Sequence, residues 1–132
     1  MAVVVLTNQE ATDASETIAH ELAEILLMRA SAAETSLADR DRAVFTALQH
    51  GTLDSKLLTA NAQSYFTPQA REDYRTSLGT LGDPSAFELK RSGVRGGFVS
   101  RVYEVTCSGK KLEVVVRATQ EGLLEQYTIS AK

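Results

Sequence analysis

Residues 86–132, AFELKRSGVRGGFVSRVYEVTCSGKKLEVVVRATQEGLLEQYTISAK, decide the fold. They break into four runs, 86–92, 98–107, 111–118 and 123–131. The separators are Gly93 with Gly96-Gly97, then Ser108-Gly109-Lys110, then Gln120-Glu121-Gly122, each short enough for a hairpin. Apolar residues alternate within the runs, which is the period of a strand with one buried face. Phe87 and Leu89 share a face, as do Val99, Tyr103, Val105 and Cys107, then Leu112, Val114 and Val116, then Leu123, Tyr127 and Ile129. Charged and polar residues fill most of the opposite positions. A sheet that is wet on one side needs a cover on the other, and Gly96-Gly97 is expected to supply a bulge that bends the second strand.

The cover lies upstream. Residues 2–6 form a β-branched run ending in Thr7-Asn8-Gln9, which reads as a short strand and a turn. Asp13 followed by Glu16 has the form of a capping box. Ile18, Leu22, Ile25 and Leu26 then make a helical stripe over residues 14–30, opposite Glu16, His20, Glu21 and Glu24. Residues 31–36, SAAETS, are small and polar and read as a linker. A second helix is expected over 37–50, with Leu37, Val44, Ala47 and Leu48 on one face and Gly51 as its left-handed cap. A third starts at Thr52 and turns Leu53, Leu57 and Leu58 inward. A fourth starts at Thr67-Pro68, with Thr as N-cap and Pro at the first helical position, and runs to Gly82-Asp83-Pro84. The fold class is therefore α+β, with N-terminal helices packed on a curved four-stranded antiparallel sheet. The domains read as a strand-plus-helix appendage at 1–30, a linker at 31–36 and the α+β domain at 37–132.

At 132 residues the chain is long enough to bury a core, since a domain of this size buries roughly two thirds of its unfolded surface. Apolar content of 43% with 23% charged residues is that of a globular protein. Residues 1–38 carry one basic and six acidic side chains and the rest 13 basic and 11 acidic, so neither part has a strong field. Nucleic acid is not an expected partner, because its binders concentrate basic residues on one face with aromatic platforms. No run approaches the roughly 20 apolar residues of a membrane span. Val3 to Leu6 is too short for a signal-peptide core, so the chain is expected to be soluble, with no signal peptide and its compartment undetermined. Cys107, the single cysteine, sits on an apolar strand face and reads as a buried small hydrophobe.

Residues 37–132 resemble the nuclear-transport-factor-2-like superfamily. The order of elements carries the resemblance, with the blocks LQHGTLDSKLLT at 48–59, YFTPQAREDY at 65–74 and SLGTLGDP at 77–84. That resemblance implies a cone-shaped domain of the cystatin and nuclear-transport-factor-2-like type, whose members use the cone as an active site, a small-molecule pocket or a docking body. VVVLTNQ at 3–9 and the helix IAHELAEILL at 18–27 resemble the last strand and helix of serine hydrolases of the class C β-lactamase type. This second resemblance implies that residues 1–30 close an upstream serine hydrolase domain. The alternative is that they are the first strand and helix of a small α+β protein.

The hydrolase family's S-x-x-K, Y-x-N and K-T-G elements can be sought directly. Ser108-Gly109-Lys110-Lys111 spells the first but lies in a hairpin turn rather than at a helix N-terminus. Two residues after Tyr65, Tyr74, Tyr103 and Tyr127 stand Thr67, Thr76, Val105 and Ile129, so there is no Y-x-N, and Arg91-Ser92-Gly93 is only loosely like the third element. No catalytic residue is expected. No metal or other cofactor is expected either, since His20 and His50 fall on different predicted helices with no ligand spacing. Asp39 and Asp41, alternating with Arg40 and Arg42, read as surface helix charges, as do Glu72 and Asp73.

Pocket candidates are the polar residues that alternation turns inward, namely Arg101, Tyr103 and Tyr127, with Tyr65 or Tyr74 from the helices. A buried Arg101 would need a carboxylate or an anionic ligand. The expected function is a non-catalytic accessory domain from the C-terminal end of a serine hydrolase. The alternative is a free-standing small-molecule-binding protein, or weak enzyme, using the cone. By analogy with such domains a homodimer through the sheet face or a helix is expected.

Overall fold

The structure is a computed structural model, and it describes residues 14–132, with side chains from Thr17 onward. The expected strand at 2–6 and the capping box at Asp13 lie outside the described residues. The chain divides into two compact units, Met1–Leu37 and Ala38–Lys132. Helix α1, Ala14–His50, is continuous through both. Residues 31–36 are thus helical and not a linker, and the two helices expected on either side of them are one. The physical reason is that SAAETS contains neither Gly nor Pro, and its alanines favour helix. Thr35 Oγ1 donates to the Ser31 carbonyl one turn back (3.0 Å), so its hydroxyl is satisfied within the helix, sharing the acceptor of its own amide.

In the larger unit α1 ends where expected, with Gly51 left-handed (φ 71°). No helix starts at Thr52. A single 3₁₀ turn, Ser55–Leu57, is capped by Asp54, and α2, Ala60–Tyr65, starts behind Thr59, whose Oγ1 accepts from the Ala62 amide (3.1 Å). Leu53 and Leu58 are buried nonetheless. Helix α3, Pro68–Gly79, has Thr67 as N-cap and Pro in its first turn, as read from the sequence.

Four strands follow, β1 (Pro84–Arg95), β2 (Phe98–Cys107), β3 (Lys110–Ala118) and β4 (Leu124–Ala131). They form one antiparallel sheet in the order β1-β2-β3-β4, so each strand pairs with its neighbour in the chain. Arg95 pairs with Phe98 and Cys107 with Lys110, which leaves Gly96-Gly97 and Ser108-Gly109 as two-residue turns with positive φ at both positions. Gly96-Gly97 is therefore a hairpin turn and not a bulge in β2. The irregularities are in β1 instead: Pro84 faces Cys107 and Ala86 faces Thr106, and Leu89 faces Tyr103 and Arg91 faces Val102, so Ser85 and Lys90 are extra residues.

An irregularity between β3 and β4 moves a core residue. Arg117 pairs with Gln126 and Ala118 with Leu124, leaving Glu125 extra. Because of that bulge Leu124 and Tyr127 both face inward, and Leu124 rather than Leu123 is buried. The core joins Val44, Phe45 and Leu48 of α1 to Leu53, Leu58, Ala62, Phe66 and Leu78, and to the inward residues of β2, β3 and β4. The helices, all preceding the strands, pack on one face of the sheet. On the other face Glu88, Glu104 and Glu113 stand in one row across β1, β2 and β3. Lys90, Lys111 and Lys132 surround Glu104 there.

Candidate functional site

Asp41 lies on α1 three, four and seven residues before Val44, Phe45 and Leu48, which puts it on the buried stripe of the helix. Its side chain has 0% exposure, so the expectation of a surface charge is wrong. Opposite it, Arg101, Val116 and Tyr127 make one row across β2, β3 and β4, with Tyr103 two residues from Arg101 on the same face. Arg101 donates through Nε to Asp41 Oδ2 (2.6 Å) and through Nη2 to Oδ1 (3.2 Å). The Tyr103 hydroxyl donates to Oδ2 (2.7 Å) and the Tyr127 hydroxyl to the Asp41 carbonyl (2.8 Å).

The electrostatics follow from that closure. Burial opposes the charge on Arg101, but the paired carboxylate outweighs it and holds the guanidinium above its usual pKa. Burial, and then the Asp41 hydrogen bond, raise the Tyr103 phenol. Burial and then the Asp41 charge raise the Tyr127 phenol as well. Both phenols therefore remain donors at neutral pH. Arg101 has the carboxylate that a buried guanidinium requires, and a bidentate pair of this kind fixes geometry as well as charge. All four residues are at most 3% exposed, so the network is sealed from solvent.

The open hollow is elsewhere in the unit. A cleft of about 550 Å³ lies between α2, α3 and the last strand, lined by Asn61, Tyr65, Phe66, Tyr74, Arg117 and Tyr127 among others. Phe66 and Tyr74 stack at 5.9 Å with an interplanar angle of 30°. Tyr65 is 71% exposed. The Tyr74 hydroxyl donates to the Tyr127 carbonyl (3.4 Å), and burial raises its pKa. The bulge residue Glu125 borders the cleft, accepting from Thr59 Oγ1 (2.6 Å) and from Asn61 Nδ2. These two bonds hold its carboxyl below the usual range. Arg117 stands 5.1 Å from the centre of the Phe98 ring. A smaller hollow shares Ala70 and Tyr74 with the cleft and continues to Ile129, so the two follow the outer edge of β4.

The structure divides the sequence candidates. Tyr65, Tyr74 and Tyr127 line the cleft, whereas Arg101 and Tyr103 are held in the core by Asp41. Asp41, Glu125, Arg117, Asn61 and Phe66 were not singled out as pocket residues. Asp41 had a legible signal, its spacing from Val44 and Leu48, together with the carboxylate that Arg101 requires. Ser108 lies in the β2–β3 turn, where its hydroxyl donates to the Leu81 carbonyl (2.7 Å). His20 and His50 share α1 but are thirty residues apart, and His20 sits 3.3 Å from Glu24. Among the described residues no group of His, Cys, Asp and Glu could hold a metal ion, and no helix is long and apolar enough to cross a membrane.

In comparisons with known proteins the chain matches no family model, no curated protein and no solved structure.

Proposed function

We propose that residues 38–132 act as a non-catalytic accessory domain of the nuclear-transport-factor-2-like kind, joined in the natural protein to an upstream serine hydrolase domain of the β-lactamase-related type. One observation carries the non-catalytic part. The helix-covered face of the sheet, where a cone would hold its reacting groups, is filled by the Asp41–Arg101–Tyr103 network, in which each charge is neutralised and removed from solvent. A general acid or base must reach a proton on its substrate, and these groups reach only one another. The hydrolase part rests on the resemblance of residues 3–9 and 18–27. Sequencing upstream of the Met1 codon tests it: a reading frame that continues through S-x-x-K and Y-x-N supports the reading, and a ribosome-binding site with a stop codon before Met1 overturns it.

The cleft favours a second reading, a small-molecule-binding protein. Its volume falls within the range of pockets for drug-sized ligands, roughly 300–1,000 Å³. Its Phe66–Tyr74 stack offers an apolar wall and Arg117 a cation, a combination that suits a flat aromatic carboxylate. Amide-resonance titration of the full chain with phenylacetate reads this directly. Shifts confined to Tyr65, Phe66, Tyr74 and Arg117, and lost in Tyr65→Ala with Arg117→Gln, support it; unchanged spectra at millimolar ligand overturn it.

A further inference from the structure

The sheet has two edges, and only one of them is defended. β1 carries Pro84, Glu88, Lys90, Arg91 and Arg95, with extra residues at Ser85 and Lys90, and proline, charge and bulges are what keep an exposed edge from pairing further. β4 from Gln126 to Ala131 reads QYTISA, with no charge, no proline and no register shift. Its backbone groups can be assigned a side. The Lys132 amide donates to the Lys111 carbonyl (3.1 Å), so in this register Ser130, Thr128 and Gln126 turn their groups toward β3. Tyr127, Ile129 and Ala131 therefore turn theirs to the open side. There the Tyr127 carbonyl accepts a long bond from the Tyr74 hydroxyl (3.4 Å), and among the described residues no backbone pairs with any of the three.

A fifth strand fits this side. Leu58 already takes the first position: it bridges Leu124 in parallel, and the Thr59 amide donates to the Leu124 carbonyl (2.9 Å) before the chain turns into α2. Beyond that point the cleft takes over. Phe66, Tyr74 and Tyr127 line it on the helix-covered side and Arg117, Gln126 and Thr128 on the wet side, so it wraps the edge of β4 from one face to the other. A strand alternates its side chains between two faces, which is what a hollow of that shape accepts. From this geometry we infer that the β4 edge binds an extended segment of another protein as a fifth strand, with apolar side chains against Phe66 and Tyr74 and acidic ones on the Arg117 side. The walls set that chemistry, since Phe66 and Tyr74 stack on the inner side and Glu125, the other charged group of the cleft, is already held by Thr59 and Asn61. β4 of a second copy suits the edge poorly. Its Leu124 and Tyr127 are buried in its own core and cannot enter the cleft, and pairing the two open stretches about Ile129 sets the second copy's Lys132 level with Gln126, in the row of Arg117. The inference goes beyond both readings above: it needs no upstream hydrolase, and it rests on the open edge rather than on a small molecule in the cleft.

Amide-resonance titration of the full chain with a seven-residue peptide that alternates valine and glutamate, blocked at both ends, tests this. The expected result is saturable binding below about 1 mM, with the amides of Tyr127, Ile129 and Ala131 shifting together. Only alternate amides of an added strand face β4. Of two further peptides, one methylated at the valine nitrogens and one at the glutamate nitrogens, one should therefore bind at least about tenfold more weakly and the other as before. Ile129→Pro should abolish binding with the far-UV circular dichroism unchanged, because the Ile129 amide makes no bond to β3. Arg117→Glu should reverse the preference, so that a valine–lysine peptide binds better than the valine–glutamate one. No shifts at 1 mM peptide, equal effects of the two methylation patterns, or a dimer of the full chain that Ile129→Pro dissociates would each overturn the inference, the last in favour of a second copy. Phenylacetate binding without peptide binding would also overturn it while leaving the small-molecule reading in place.

Discussion

The Asp41 carboxylate and the Arg101 guanidinium, sixty residues apart in sequence, meet in a two-point ion pair at 2.6 and 3.2 Å that ties α1 to the middle of the sheet. The pair is shut in by Tyr103 and Tyr127, so water cannot replace either partner. Removing one partner should therefore cost much more than removing both. Asp41→Ala should lose about 3–5 kcal/mol in urea unfolding, and Asp41→Leu with Arg101→Met should regain most of that loss. A loss for Asp41→Ala no larger than that of exposed Asp39→Ala would contradict the pairing.

Thr59 does two jobs with one oxygen. It accepts from the Ala62 amide to start α2 and donates to Glu125 at the β4 bulge. Thr59→Ala should destabilise the domain by about 1–2 kcal/mol, whereas Thr59→Ser should stay close to the parent protein. Amide exchange at Ala62 provides the local check, since protection there should fall in the alanine variant alone.

At Gly122 the backbone is left-handed (φ 93°), and a β-carbon would lie 2.5 Å from Arg40 Nη1, while the Arg40 guanidinium also donates to the Gly122 carbonyl. Gly122→Ala should cost at least about 1–2 kcal/mol from the backbone alone. In an Arg40→Ala background the steric part disappears, so the two changes should be less than additive in a double-mutant cycle. Full additivity would place Arg40 away from the turn.

Hydrogen bonds from Lys132 and then Lys111 hold the Glu104 carboxyl down at about 2. Its folded pKa lies below the unfolded value of about 4.3, so its contribution to stability is complete above that value and is lost as pH falls from there toward 2. Glu104→Gln should flatten the acid limb of the stability curve across that window and leave the slope above pH 5 unchanged. Equal acid slopes in parent and variant would count against these contacts.

How far the sequence could be read depended on whether local pattern or distant contact set the outcome. The strands were legible because alternation from Val99 to Cys107 and from Leu112 to Val116 is a local property, and α3 was legible because Thr67-Pro68 marks its own start. Residues 31–36 misled because small polar residues occur in linkers and in helices alike, and only an unbroken hydrogen-bond ladder distinguishes them. Leu124 was misassigned by one position because a bulge at Glu125 resets the alternation, and its partners Thr59 and Asn61 are more than sixty residues away in sequence. Asp41 was the costliest error. Its neighbours Asp39, Arg40 and Arg42 made a surface pattern, and the helical spacing to Phe45 outweighed it.

The chain-order pairing of the sheet has a consequence for synthesis. Each hairpin can zip as soon as its own two strands exist, yet Val44, Phe45 and Leu48 leave the ribosome long before Leu124 and Tyr127, which belong to the same core. A nascent chain therefore carries bare apolar helix until its final strand emerges. Stalling translation before β4 has emerged should leave it captured by chaperones, and emergence of β4 should let it fold in a single step.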